Sequence, residues 1–217
     1  MFNALNYYFC FMINFSLIAI ATISHLLAVI SPGPDFVMAL KNSLTYSRKT
    51  GIYTAIGFGL GIGIHVLYSF IGLAVIISQS EMVFNLIKYL GAAYLFYIGV
   101  QSILEKSDFH LIAQQIRKHE ITPFKAFSMG FITNVLNPKA SLFFLSLFTF
   151  ILKSNPNQPT LIIISLIMML NTALWFSLVA YFFNIPYIQK KYISYQNYIG
   201  KGLGIFLILI ALLIVFR

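Results

Sequence analysis

Apolar positions run along this chain in six long blocks, at about 15–40, 51–77, 83–104, 123–151, 160–183 and 199–216. A transmembrane helix needs about 20 mainly apolar residues, and the blocks are of that order. Polar stretches separate them at 41–49, 105–122, 153–158 and 184–197. Two blocks are interrupted. The first contains Ser31-Pro32-Gly33-Pro34-Asp35, and the fourth contains Asn134 to Ala140 with Asn137, Pro138 and Lys139 inside it. Proline has no backbone N–H, and its ring clashes with the preceding helical turn. The first helix must therefore break near Ser31 and restart near Asp35, and the fourth must break near Pro138. Backbone groups freed at membrane depth are tolerated only against protein or a wet cavity. Six spans put the first and fourth in opposite directions. The pattern predicts an all-α integral membrane protein, six transmembrane helices as a 3+3 inverted repeat, with helices 1 and 4 broken. Paired interrupted helices in two matching halves point to a transporter binding site.

Composition agrees. Of 217 residues, 59% are hydrophobic and 9% charged, whereas soluble domains carry about 25% charged residues. The chain reads as one transmembrane domain over 1–217. It comprises a first half 12–104, a linker 105–122 and a second half 123–217, preceded by a hydrophobic extension 1–11. That extension lacks the basic start of a signal peptide, and Met12-Ile13-Asn14-Phe15 is the more natural opening of the first span. The net charge of +9 fits basic loops rather than nucleic-acid binding, because no basic cluster interleaves with aromatic residues in a polar region. Lys41, Arg48, Lys49, Lys106, Arg117, Lys118, Lys125, Lys190, Lys191 and Lys201 fall on the side of loops 1–2, 3–4 and 5–6. Lys88, Lys153 and Arg217 fall on the other. The basic side is expected in the cytoplasm.

The second block carries Gly57, Gly59, Gly61 and Gly63. Spaced by four, these are small-residue pairs that let membrane helices approach closely, within one chain or between two. With no preceding strand and no GK[ST], they do not form a phosphate loop. Cys10 is the sole cysteine, and His25, His65, His110 and His119 have no ligand spacing, so no metal site and no cofactor are expected. Nothing pairs Asp with Asp, or Ser with His, as an enzyme would need. Glu81 and Lys88 read as a short outer connection. The 105–122 linker reads as solvated, with an amphipathic helix on which Leu111, Ile112, Gln115 and Ile116 share a side.

The order of these motifs resembles the LysE/RhtB family of bacterial amino-acid exporters. The likeness lies in Ser31 to Asp35, in Arg48-Lys49 followed by the Gly57–Gly63 series and His65, in Gly91-Ala92-Ala93-Tyr94-Leu95 with Gly99, and in Gly130-Phe131 followed by Asn134, Asn137, Pro138 and Lys139. It covers residues 12–216; the 1–11 extension departs from it. The resemblance implies amino-acid efflux across the bacterial inner membrane, driven by the proton gradient.

An amino acid is a zwitterion and needs an anionic or carbonyl-rich group for its ammonium and donors for its carboxylate. Asp35 is the deep acid and Lys139 the deep base, placed at equivalent breaks. An ionised side chain at mid-membrane costs about 2.5–3.5 kcal/mol on insertion scales and is a functional candidate by default. Asp35 is expected to alternate between protons and the substrate ammonium. Lys139, with amides freed at Pro32, Gly33, Pro34 and Pro138, is expected to hold the carboxylate. Asn134, Asn137, His65 and Asn171 are expected as further polar lining. A neutral amino acid of the threonine or homoserine type suits a single acid better than lysine does. Structural alternatives are Asp35 as a simple helix cap and a fixed Asp35–Lys139 ion pair. Functional alternatives are an exporter of a metal or other small cation and a membrane scaffold without transport. The partners expected are the amino acid, protons, lipid and possible further copies of the chain, with no nucleic acid.

Overall fold

The computed structural model describes residues 13–31, 33–104 and 119–216. The 1–11 extension, Cys10, Pro32 and the 105–118 part of the linker lie outside the described residues. The elements are α1 (Phe15–Ile30), α2 (Pro34–Thr45), α3 (Arg48–Gln79), α4 (Glu81–Leu104), α5 (Pro123–Val135), α6 (Pro138–Lys153), α7 (Gln158–Phe182) and α8 (Pro186–Phe216). Among the described residues, Arg48–Leu73, Glu81–Leu104, Gln158–Phe182 and Ser194–Phe216 are each long and apolar enough to cross a membrane. The pairs α1–α2 and α5–α6 are each bent by 57° at a short break, and counting each pair as one span gives up to six.

Both breaks fall where the prolines demand. Pro34 and Pro138 open the restarted helices, where the missing N–H would have had no partner anyway. The restarts are alike: Val37 N–H donates to Gly33 O and Ser141 N–H donates to Asn137 O, both at 3.0 Å. The caps differ. Asn137 Oδ1 accepts from the amides of Lys139 and Ala140, whereas Gly33 caps α2 with no side-chain bond. Asp35 is thus not the cap of its helix but a residue of its first turn.

The glycines of α3 are contact points within this chain. A Cβ on Gly57 would come within 2.2 Å of Phe127 O, and one on Gly130 within 2.0 Å of Thr54 O. This face lets α3 and α5 touch backbone to backbone. The other face, at Gly59, meets Met169 O and Ala173 of α7. Gly99 of α4 and Gly204 of α8 approach one another in the same way. Helix α7 shows what faces lipid: Ile162, Leu166, Leu170, Leu174 and Leu178 are exposed, while Ile164, Met168, Thr172, Phe176 and Ala180 are buried. Two stripes of one helix, both mostly apolar, differ only in what surrounds them, as in a span packed on one side.

Two expectations about connections fail. Lys88 is not in a loop; it lies two turns into α4 and is buried. Ser80 alone separates α3 from α4. The predicted connection at 184–197 is helical from Pro186 onward, so Lys190 and Lys191 belong to α8. Polar composition marked these residues as loop, but a helix leaving the membrane carries polar residues without unwinding.

Two cores result. One joins Leu17 and Ala21 of α1, Ile62 of α3, Leu95 of α4, Phe144 of α6 and Leu207 of α8. The second joins Phe36 and Leu40 of α2, Phe58 of α3, and Phe176 and Val179 of α7.

Candidate functional site

A cavity of about 50 Å³ opens where the two cores meet, bordered by Phe144 and Leu207 of the first and by Phe36 and Phe176 of the second. One water needs roughly 10–15 Å³ on this measure, so there is room for a polar molecule of several heavy atoms. Both helix breaks contribute to the wall: Ser31, Gly33 and Asp35 from one, Asn134, Asn137 and Lys139 from the other. The bend in each pair is what turns these side chains inward from two sequence-distant spans.

Asp35 is buried at 9% exposure. Its Oδ2 accepts a 2.7 Å hydrogen bond from Asn134 Nδ2. Its Oδ1 is buried and accepts no well-formed hydrogen bond among the described residues. The Asn137 side chain approaches the same carboxyl as a second donor, and the Lys139 charge attracts it. Lys139 Nζ donates to Ser31 Oγ at 2.9 Å and to Ser31 O at 3.3 Å. Its stem passes over Gly33, where a Cβ would come to 3.4 Å from Lys139 Cδ. The ammonium thus sits beside the uncapped N-terminus of α2, where amide dipoles add positive potential.

His65 does not line the cavity; it holds what does. Its Nε2 lies 2.9 Å from Asn134 O and its Nδ1 lies 2.7 Å from the Tyr68 hydroxyl. A carbonyl only accepts, so Nε2 carries the proton and Nδ1 accepts from Tyr68. Gly61 completes this support: a Cβ there would lie 2.5 Å from Asn134 Oδ1. This glycine gap in α3 is what admits the asparagine that bonds Asp35.

The structure thus brings Gly33, Asp35, Asn134, Asn137 and Lys139 together around one hollow. It leaves Pro34, Pro138 and Asn171 off the wall; Pro32 lies outside the described residues. The two prolines shape the breaks and do not line them. The α6 amides expected to receive a carboxylate are already taken by Asn137 Oδ1. Asn171 misses by one residue: its neighbour Thr172, about 100° further round the helix, is the one that faces in. Sequence reasoning also missed His25 and Ser31. The available signal was spacing, since His25, Ala28 and Val29 stand at i, i+3 and i+4 on the α1 face that leads to Ser31.

The family of LysE type translocators matches residues 26–217. An uncharacterised membrane protein, YrhP, of Bacillus subtilis is 34% identical over 200 residues, covering 89% of this chain and 95% of that one. A threonine efflux protein of Escherichia coli is 28% identical over 195 residues, covering 85% and 94%. A leucine efflux protein of Salmonella choleraesuis is 33% identical over 123 residues, covering 55% and 56%. No solved structure matches the chain. A family match over most of the length, on a bundle with several helices able to cross a membrane, settles the class: the chain is a multi-pass membrane protein of the LysE type translocator family.

Proposed function

We propose that this protein is a secondary-active exporter that carries neutral amino acids out of the bacterial cell across the inner membrane, exchanging them against protons. The family and the efflux proteins among its relatives support export of amino acids. The observation that carries the site assignment is the buried carboxylate oxygen, Asp35 Oδ1, which accepts no well-formed hydrogen bond among the described residues while its twin is held by Asn134. A substrate ammonium supplies the missing donor, and a proton supplies it when substrate is absent. A buried acceptor left unmade costs about 1–3 kcal/mol, more when charged, so the two occupants compete for one oxygen. That competition is the coupling step.

The substrate carboxylate belongs at the other end of the polar patch. Lys139 Nζ and the uncapped N-terminus of α2 provide the positive field there. Ser31 holds the ammonium of Lys139 in place. One acid on the cavity wall matches one substrate cation, so a threonine- or homoserine-type substrate fits better than lysine, which brings a second cation.

Alternating access follows from two three-span halves of opposite orientation. The equal 57° bends of α1–α2 and α5–α6 support such a repeat. So does the packing, in which α1 and α2 lie on α7 while α5 and α6 lie on α3. The likeness is incomplete: α1 touches α8, whereas it is the second half of the other bent pair, α6, that touches α4. Rocking one half against the other would open the hollow to each side in turn. The basic ends near Lys41 to Lys49 and at the start of α8 face the cytoplasm in this arrangement.

The reading is tested in cells that lack their own exporters. Expression should lower intracellular threonine and homoserine pools, raise both in the medium, and protect against toxic amino-acid analogues. Unchanged pools with the protein in the membrane, together with new resistance to metal salts, would replace it with cation export.

A further inference from the structure

Around the cavity, two walls are polar and the rest is apolar. One polar wall is the Ser31–Asp35–Asn134–Lys139 patch already described. The other is His25 of α1 with Thr172 of α7, both on the cavity wall and both essentially without solvent exposure. His25 Nε2 lies 3.4 Å from Thr172 Oγ1, longer than the usual N–H···O range of 2.7–3.2 Å. His25 Nδ1 is buried and has no hydrogen-bond partner among the described residues. The imidazole is fixed from one side. Phe144 meets it edge-on at 5.5 Å, and Phe144 in turn stacks on His65 at 5.5 Å and 13°. Phe143 closes from 6.2 Å. A polar pair on a cavity wall, with hydrogen-bonding capacity to spare and aromatic rings around it, is what a hydroxyl-reading pocket requires.

We propose that His25 and Thr172 form the side-chain subsite of this cavity, hydrogen-bonding the hydroxyl of a short amino-acid side chain and so selecting threonine- or homoserine-like substrates over aliphatic ones of equal size. The proposal rests on the export reading above and adds to it the residues that choose the substrate. Its geometry is consistent. His25 precedes Ser31 by six residues, and at 1.5 Å per residue that is about 9 Å along α1. That sets the His25–Thr172 wall apart from the end where Ser31 holds Lys139 by about the length of a three- or four-carbon hydroxy amino acid with a hydrogen bond of about 3 Å at each end. Phe143, Phe144 and Phe176 then surround the carbon atoms. An aliphatic isostere would strand both polar groups, which is the strongest way a site rejects a substrate lacking a hydroxyl.

The test uses everted membrane vesicles containing the full chain, and the ratio of threonine to valine uptake, because these two differ by a hydroxyl for a methyl. The wild-type protein should favour threonine. Thr172→Val and His25→Leu should each lower the ratio about tenfold or more. Thr172→Val nearly conserves shape, so it carries the comparison should His25→Leu fail to reach the membrane. A wild-type ratio at or below one, or an unchanged ratio in Thr172→Val, overturns the subsite. A wild-type protein that moves no amino acid at all overturns the export reading instead.

Discussion

Asn134 is the residue on which most of the site converges. It donates to Asp35, its carbonyl accepts from His65, and its side chain fills the gap left by Gly61. Changing the gap therefore changes the acid. Gly61→Ala places a methyl within 2.5 Å of Asn134 Oδ1 and must push the amide aside. Overpacking of this kind costs about 1–3 kcal/mol. The expected outcome is a protein that still inserts but melts earlier in detergent and has its transport impaired. Asp35, Lys139, Asn134 and Asn137 were legible in the sequence because ionisable and amide side chains at membrane depth are costly and so conspicuous. His25 and Thr172 were not. Each is an ordinary residue in an ordinary helix, and only the packing of α1 against α7 shows that they share a wall. Asn171, expected on the wall, and Thr172 are neighbours in α7, and both are polar. Helical register, not polarity, decided between them.

At the scale of elements, prolines and glycines carried the most information. The prolines located both breaks, with the first restart expected near Asp35 and found at Pro34 and the second found at Pro138, and the paired glycines of α3 marked two helix crossings. What they could not give was the partner of each crossing, because small residues admit any backbone. Loop polarity misled at Lys88 and at 184–197, where charge accompanies a helix rather than ending one. The crossings make a sharp prediction. Gly130→Ala puts a methyl 2.0 Å from Thr54 O, against backbone that has no rotamer to yield. Gly202 has no atom within 4 Å of the same methyl. Heating in detergent followed by size-exclusion chromatography should show Gly130→Ala losing its monodisperse peak many degrees below the parent. Gly202→Ala should match the parent or exceed it slightly, since alanine gains up to about 1 kcal/mol over glycine in a helix.

For the whole molecule, the bends matter more than the spans. Straight helices would carry Asp35 and Lys139 past one another; two 57° bends bring both breaks to the junction of two apolar cores. Under the proposed export function this junction is the transport site, with Asp35 Oδ1 shared in turn by proton and ammonium. Threonine uptake into energised everted vesicles, compared among wild type, Asp35→Asn and Lys139→Ala at matched protein levels, tests it most directly. Wild-type uptake should collapse with the proton gradient. Asp35→Asn should lose at least about tenfold in uptake, and Lys139→Ala should show a raised KM. Normal, gradient-dependent uptake by both variants would contradict that assignment.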